Sequence, residues 1–144
     1  MYNIAIILAL LLLPYWALMP VHVAEPVRGR IGIFLVFAFT SVGHFVKTKA
    51  MSEMLPAWTP MRVPLIYIMG LFELLAAVAI FVPPISEAAG IVLCAFLVLV
   101  LPSNIYAAFQ RVDFGGHEMG PKYLVVRIPL QLFLLGWVYW FTVR

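Results

Sequence analysis

The chain has 144 residues, of which 65% are hydrophobic and only 10% charged, where a soluble domain carries about a quarter charged residues. That balance, with a mean hydropathy of +1.09, excludes a soluble globular domain and points to an integral membrane protein in contact with a lipid bilayer. The formal charge of +3 comes from nine Lys and Arg scattered along the chain; they form no basic cluster, which excludes nucleic acid as a partner.

Apolar runs of about 20 residues, the length that crosses roughly 30 Å of hydrocarbon, recur along the chain. The first, residues 3–21, lacks the cationic start and small-residue cleavage site of a secretory signal, so it is expected to be a retained span. Pro14 falls inside it, and Tyr15 and Trp16 suit an interface near its end. A short loop, "HVAEPVRGR", leads to the second span, residues 31–47. In the next connection, residues 48–64, Pro56, Pro60 and Pro64 recur every four residues and oppose a continuous helix, while Trp58 between them suits an interfacial anchor. The third span covers residues 65–82, and "PPISE" turns the chain into the fourth, residues 88–109. Cys94 lies within its apolar sequence as a packing residue; as the only cysteine it allows neither an internal disulfide nor a C-x-x-C pair. A glycine-rich polar loop, "QRVDFGGHEMGP", precedes the fifth span, residues 122–143.

Backbone groups in hydrocarbon must be satisfied internally, and long apolar runs without strict alternation exclude a barrel. The expected fold is therefore all-α, one transmembrane domain with five spans. An odd number of spans puts the two long connections on one side, the loop face, and the termini on opposite sides. Lys47, Lys49, Arg62, Arg111 and Lys122 border the loop face against Arg28, Arg30 and Arg144 on the other, a count that favours the loop face inside.

Polar residues inside spans cost roughly 2.5–3.5 kcal/mol when charged, and they usually face the bundle interior. The second span carries Thr40, Ser41 and His44, the third Glu73, the fourth Ser103 and Asn104, and the fifth Arg127 and Gln131. At about 1.5 Å rise per residue, His44, Glu73, Asn104, Arg127 and Gln131 all fall in the loop-side half of the bundle. Ser41, His44 and Thr48 form one stripe, Gly70, Glu73 and Ala77 another, and Arg127 and Gln131 are i, i+4 neighbours. Pro102 and Pro129 free the carbonyls of Val98 and Val125, which Asn104, Arg127 or Gln131 could satisfy.

Two readings follow. In one, Glu73 and Arg127 are a buried ion pair fixing helix register, with Asn104 and Gln131 as interhelical hydrogen-bond partners. In the other, the set walls a pocket for a lipophilic molecule with a polar head, with His44 and Glu73 as candidate proton-handling groups. No second histidine is placed to join His44 on a metal or haem, so no metal site is expected. Glu53, Asp113 and Glu118 are expected to be solvated loop charges, and His117 in "FGGHEMG" a flexible surface histidine, with a cap over the pocket as the alternative.

"GHF" at 43–45, "PAWTP" at 56–60, "GLFEL" at 70–74, "PSNIY" at 102–106 and "RIPLQ" at 127–131 occur in an order that resembles the DoxX-like family of small bacterial membrane proteins. The resemblance covers about residues 31–143 and implies a four-helix core, making the first span an addition, in the bacterial inner membrane. It also implies a cytoplasmic Arg28 and Arg30, and hence a periplasmic loop face, against the charge count. It carries over His44, Glu73, Asn104, Tyr106, Arg127 and Gln131 as the functional set, with Trp58 counted among the binding residues. The function it implies is a quinone-linked or redox-accessory protein that binds a quinone or another lipophilic ligand, has no intrinsic cofactor and works with a membrane redox partner. A non-enzymatic assembly factor is the alternative, a transporter of a small solute or protons ranks below it, and homo-oligomer formation is open to all three.

Overall fold

Helix is the regular structure that such apolar runs can form in lipid, and in a computed structural model, which describes residues 2–144, all regular structure is helical, with no strand among the described residues. The α-helices are α1 (Tyr2–Ala17), α2 (Glu25–Val46), α3 (Thr48–Glu53), α4 (Arg62–Ala79), α5 (Ser86–Phe109) and α6 (Leu124–Val138). A 3₁₀ turn at Pro83–Ile85 leads into α5, another at His117–Tyr123 leads into α6, and α6 runs on as a π-helical turn at Tyr139–Val143. Four segments are long and apolar enough to cross a membrane: Glu25–Val46, Arg62–Ala79, Pro83–Phe109 and His117–Val143. α1 is equally apolar but, at 16 residues, shorter.

Two boundaries differ from the expectation. α2 starts at Glu25 rather than Ile31, because Pro26 occupies the first turn, where a missing N–H costs nothing. Arg28 and Arg30, expected in a loop, are therefore helical; the Arg28 guanidinium lies 4.8 Å from the centroid of the Tyr15 ring and donates to the Tyr15 carbonyl at 3.3 Å. The proline-spaced connection is not wholly irregular either, since Thr48–Glu53 forms one short helix before the prolines.

α2 is the hub, packing on α1 and α4, with α5 against α4 and α6. Small residues set the approach distances. A Cβ on Gly32 would stand 2.5 Å from the Leu11 carbonyl oxygen, so α1 lies directly against the backbone of α2. At the end away from the loops, Trp137 donates to the Gly29 carbonyl at 3.3 Å and Arg30 Nε to the Phe141 carbonyl at 2.9 Å, tying the end of the chain to α2. Tyr15, Trp137 and Phe141 stack edge-on or tilted around this joint. Outward-facing Val46, Ile68, Leu75, Leu99 and Val125 are exposed, an apolar perimeter suited to lipid rather than water.

Gly32→Val is expected to destabilise the bundle by about 1–3 kcal/mol or more, because backbone rather than a flexible side chain must move. Gly136→Ala, where a Cβ meets nothing within 4 Å, is expected to leave stability unchanged. Thermal unfolding of the two variants in detergent checks the contrast.

Candidate functional site

Of the polar residues expected inside the spans, all but Ser41 gather on a cavity of about 390 Å³ in the loop-side half of the bundle. Thr40 and His44 reach it from α2, Glu73 from α4, Ser103 and Asn104 from α5, and Arg127 and Gln131 from α6. Helical periodicity does this: each residue lies on the inward stripe of its helix, at similar depth. The rest of the wall is largely apolar, including Phe37, Ile66, Phe96 and Leu134, and Asn3 and Ile7 of α1 close one side. Exposed Phe39, Val42 and Val46 also border the cavity, so it reaches the outer surface along α2.

The α2–α4 contact holds the acid. Ser41 donates to the Gly70 carbonyl at 2.7 Å, and a Cβ on Gly70 would stand 2.7 Å from His44 Cβ, so the helices touch there. One turn along α4, Glu73 Oε1 accepts from Thr40 Oγ1 at 2.8 Å. His44 Nδ1 lies 2.9 Å from the Thr40 carbonyl and 3.3 Å from Glu73 Oε2. A carbonyl can only accept, so Nδ1 carries a proton and directs it at Thr40; Glu73 Oε2 is within ion-pair distance but receives no aligned hydrogen bond.

The expected Glu73–Arg127 pair is not formed. Among the described residues the one contact at ion-pair distance is His44–Glu73, and Arg127 Nε is buried with no hydrogen-bond partner. The physical reason is competition: Thr40 and His44 stand closer to the carboxylate than the guanidinium on α6. The amides also miss the expected acceptors. Asn104 donates to the Val100 carbonyl at 2.9 Å and Gln131 to that of Leu97 at 2.8 Å, rather than to Val98 or Val125. Gln131 thus crosses from α6 to α5 close to Pro102, at the cost of leaving its own Oε1 buried without a donor.

His117 takes the alternative place, at the pocket, and not the surface position expected first. It is only 3% exposed, lines the cavity, and packs edge-on against Tyr123 at 4.8 Å between ring centroids. Gly115 and Gly116, with φ of 68° and 109°, turn the loop inward, and a Cβ on Gly116 would lie 2.5 Å from the Tyr123 ring. The signal in the sequence is the glycine pair in "FGGHEMG", which sets a fixed inward turn. Two other named residues stand apart from the cavity: Trp58 is 82% exposed on the connection before α4, and Tyr106 is half-buried on α5 outside the cavity wall. No group of three or more His, Cys, Asp or Glu side chains able to hold a metal occurs among the described residues.

Residues 33–142 match the family described as Domain of unknown function (DUF8561). No curated protein and no solved structure matches the chain.

Breaking a closed buried ion pair costs about 3–5 kcal/mol. Because Arg127 has no such partner, Arg127→Met is expected to leave the unfolding midpoint of the ligand-free protein unchanged or higher; a loss of that size would mark Arg127 as a structural lock.

Proposed function

Since the chain belongs to this family of unknown function, its role is read from the cavity, and we propose that it is an integral membrane protein that binds a lipophilic small molecule by a polar head inside the bundle. One observation carries the reading: Arg127 Nε, His117 Nε2, Gln131 Oε1 and Glu73 Oε2 are all sealed from solvent without a hydrogen-bond partner, and all four side chains line the same cavity. Unpaired groups of this kind cost about 1–3 kcal/mol each, more when charged, and four around one space are economically explained by a bound molecule. The volume sits in the lower part of the roughly 300–1,000 Å³ range of small-molecule sites.

A quinone is the first ligand this chemistry suggests. Its ring and tail match the apolar wall, its carbonyl can accept from Arg127, and Glu73 with His44 supplies an acid–imidazole pair for proton exchange at the head. Redox centres would belong to a membrane partner, with this chain as the accessory that holds the ligand.

The finer architecture belongs to the same proposal. α1 reaches about 24 Å at the standard rise. Asn3 borders the loop-side cavity, and Tyr15 meets Glu25 and Arg28 at the other end of the bundle. That placement supports α1 as a fifth span. The family match begins at Ile33, after α1, which supports α1 as an N-terminal addition; we propose that the other four spans form a DoxX-like core in a bacterial inner membrane.

Titration of protein in nanodiscs with decylubiquinone is expected to raise the unfolding midpoint, by about 2.7 kcal/mol of stabilisation at 100 times the dissociation constant. Arg127→Met is expected to abolish the shift. An unchanged midpoint with decylubiquinone, together with no lipophilic molecule detected by mass spectrometry in the purified protein, would refute the reading.

A further inference from the structure

The sealed polar groups of the cavity are unequal in kind, and their partners fix which kind each is. Gln131 Nε2 donates to the Leu97 carbonyl at 2.8 Å, so the amide orientation is set and the atom left over, Oε1, is an acceptor. His117 Nδ1 lies 2.7 Å from the Phe114 carbonyl, which can only accept, so that nitrogen carries the proton. A second cation beside Arg127 in an apolar cavity is unfavourable, and in the neutral ring the buried Nε2 is a bare lone pair. Glu73 Oε2 adds a third acceptor when the acid is ionised. Against these stands one sealed donor, Arg127 Nε.

With Glu73 ionised, a head made only of carbonyl oxygens satisfies Arg127 alone among the four sealed atoms. A hydroxyl does both tasks: its oxygen accepts from Arg127, and its proton goes to His117 Nε2 or Gln131 Oε1. We infer that the cavity selects a ligand head bearing a hydroxyl, a quinol or similar phenol, over the corresponding carbonyl-only quinone. The inference rests on the reading that the cavity binds a lipophilic small molecule, and it adds the oxidation state that is held. A site that favours the reduced form acts as a quinol holder, and it raises the potential of the bound couple.

The test is anaerobic titration of the full chain in nanodiscs with three probes: decylubiquinol, decylubiquinone and the dimethyl ether of the quinol. The ether keeps the ring, tail and acceptor oxygens and puts a methyl group in place of each donated proton, while the quinone lacks those protons without the added methyls. Leaving a buried acceptor unpaired is worth about a factor of ten in affinity, so the quinol is expected to bind about tenfold or more tighter than either of the others. For a two-electron couple a tenfold preference corresponds to about 30 mV, so the bound couple is expected to lie at least that far above the free one. His117→Phe and Gln131→Leu are each expected to narrow the quinol-to-quinone ratio toward one while quinone still binds, and either variant suffices where the other does not fold.

Equal affinities for quinol and ether, or a preference for quinone, overturn the inference while the binding pocket stands. Binding of none of the three probes overturns the inference, and if mass spectrometry also finds no lipophilic molecule in the purified protein, the pocket reading falls with it.

Discussion

The close approach of α2 and α4 at Gly70 positions most of what surrounds the cavity. Gly70 leaves room for His44 Cβ where any other side chain would collide, and Ser41 bonds the Gly70 carbonyl across the same contact. With the helices at that distance, Thr40 meets Glu73 one turn away, and His44 is placed beside both. The hydrogen bonds alone would not hold this: side-chain bonds between transmembrane helices average only about 0.6 kcal/mol. Packing of small residues holds the helices, and the polar contacts fix which residues face each other.

The two ends of the bundle handle polarity differently. Away from the loops the polar side chains find partners: Arg30 on the Phe141 carbonyl, Trp137 on that of Gly29, Thr142 on the Val138 carbonyl and, at the exposed edge, Tyr15 on Glu25. Only Arg28 Nε is left over there, while its Nη1 bonds the Tyr15 carbonyl. On the loop side four side chains around one cavity are left incomplete. The first end fastens α1, α2 and the end of the chain into a frame. The second end is where an unfilled space and unfilled valences coincide.

How much of this was legible in the sequence follows from what kind of signal each residue gives. His44, Glu73, Asn104, Arg127 and Gln131 could be brought to one depth because helical rise is fixed and each stands out against an apolar run. Their partners could not, because pairing depends on interhelical distances of a few ångströms that periodicity does not carry. Thr40 therefore took the carboxylate that Arg127 was expected to hold. His117 was hidden by its neighbours: in a soluble context "GGHEMG" reads as an exposed turn, and only the packing of Gly116 on Tyr123 shows the turn folding inward. Tyr106 and Trp58 came from motif position rather than from depth and face, and they are the two named residues that lie off the cavity wall.

Arg127 is where these strands meet. A guanidinium can present five donors and cannot lose its charge in a protein, so placing one among apolar side chains without an ion pair is among the costlier choices a membrane protein can make. Packing does not require it, since Gln131 already joins α6 to α5 through the Leu97 carbonyl. Pairing with Glu73 does not explain it either, since that acid is engaged by Thr40 and His44. What remains is the space in front of it, bordered by acceptors on His117 and Gln131 and reaching the outer surface past Val42 and Val46. On the proposed reading, an arginine held ready for a polar head arriving from the bilayer would account for the charge, the cavity and the acceptors together.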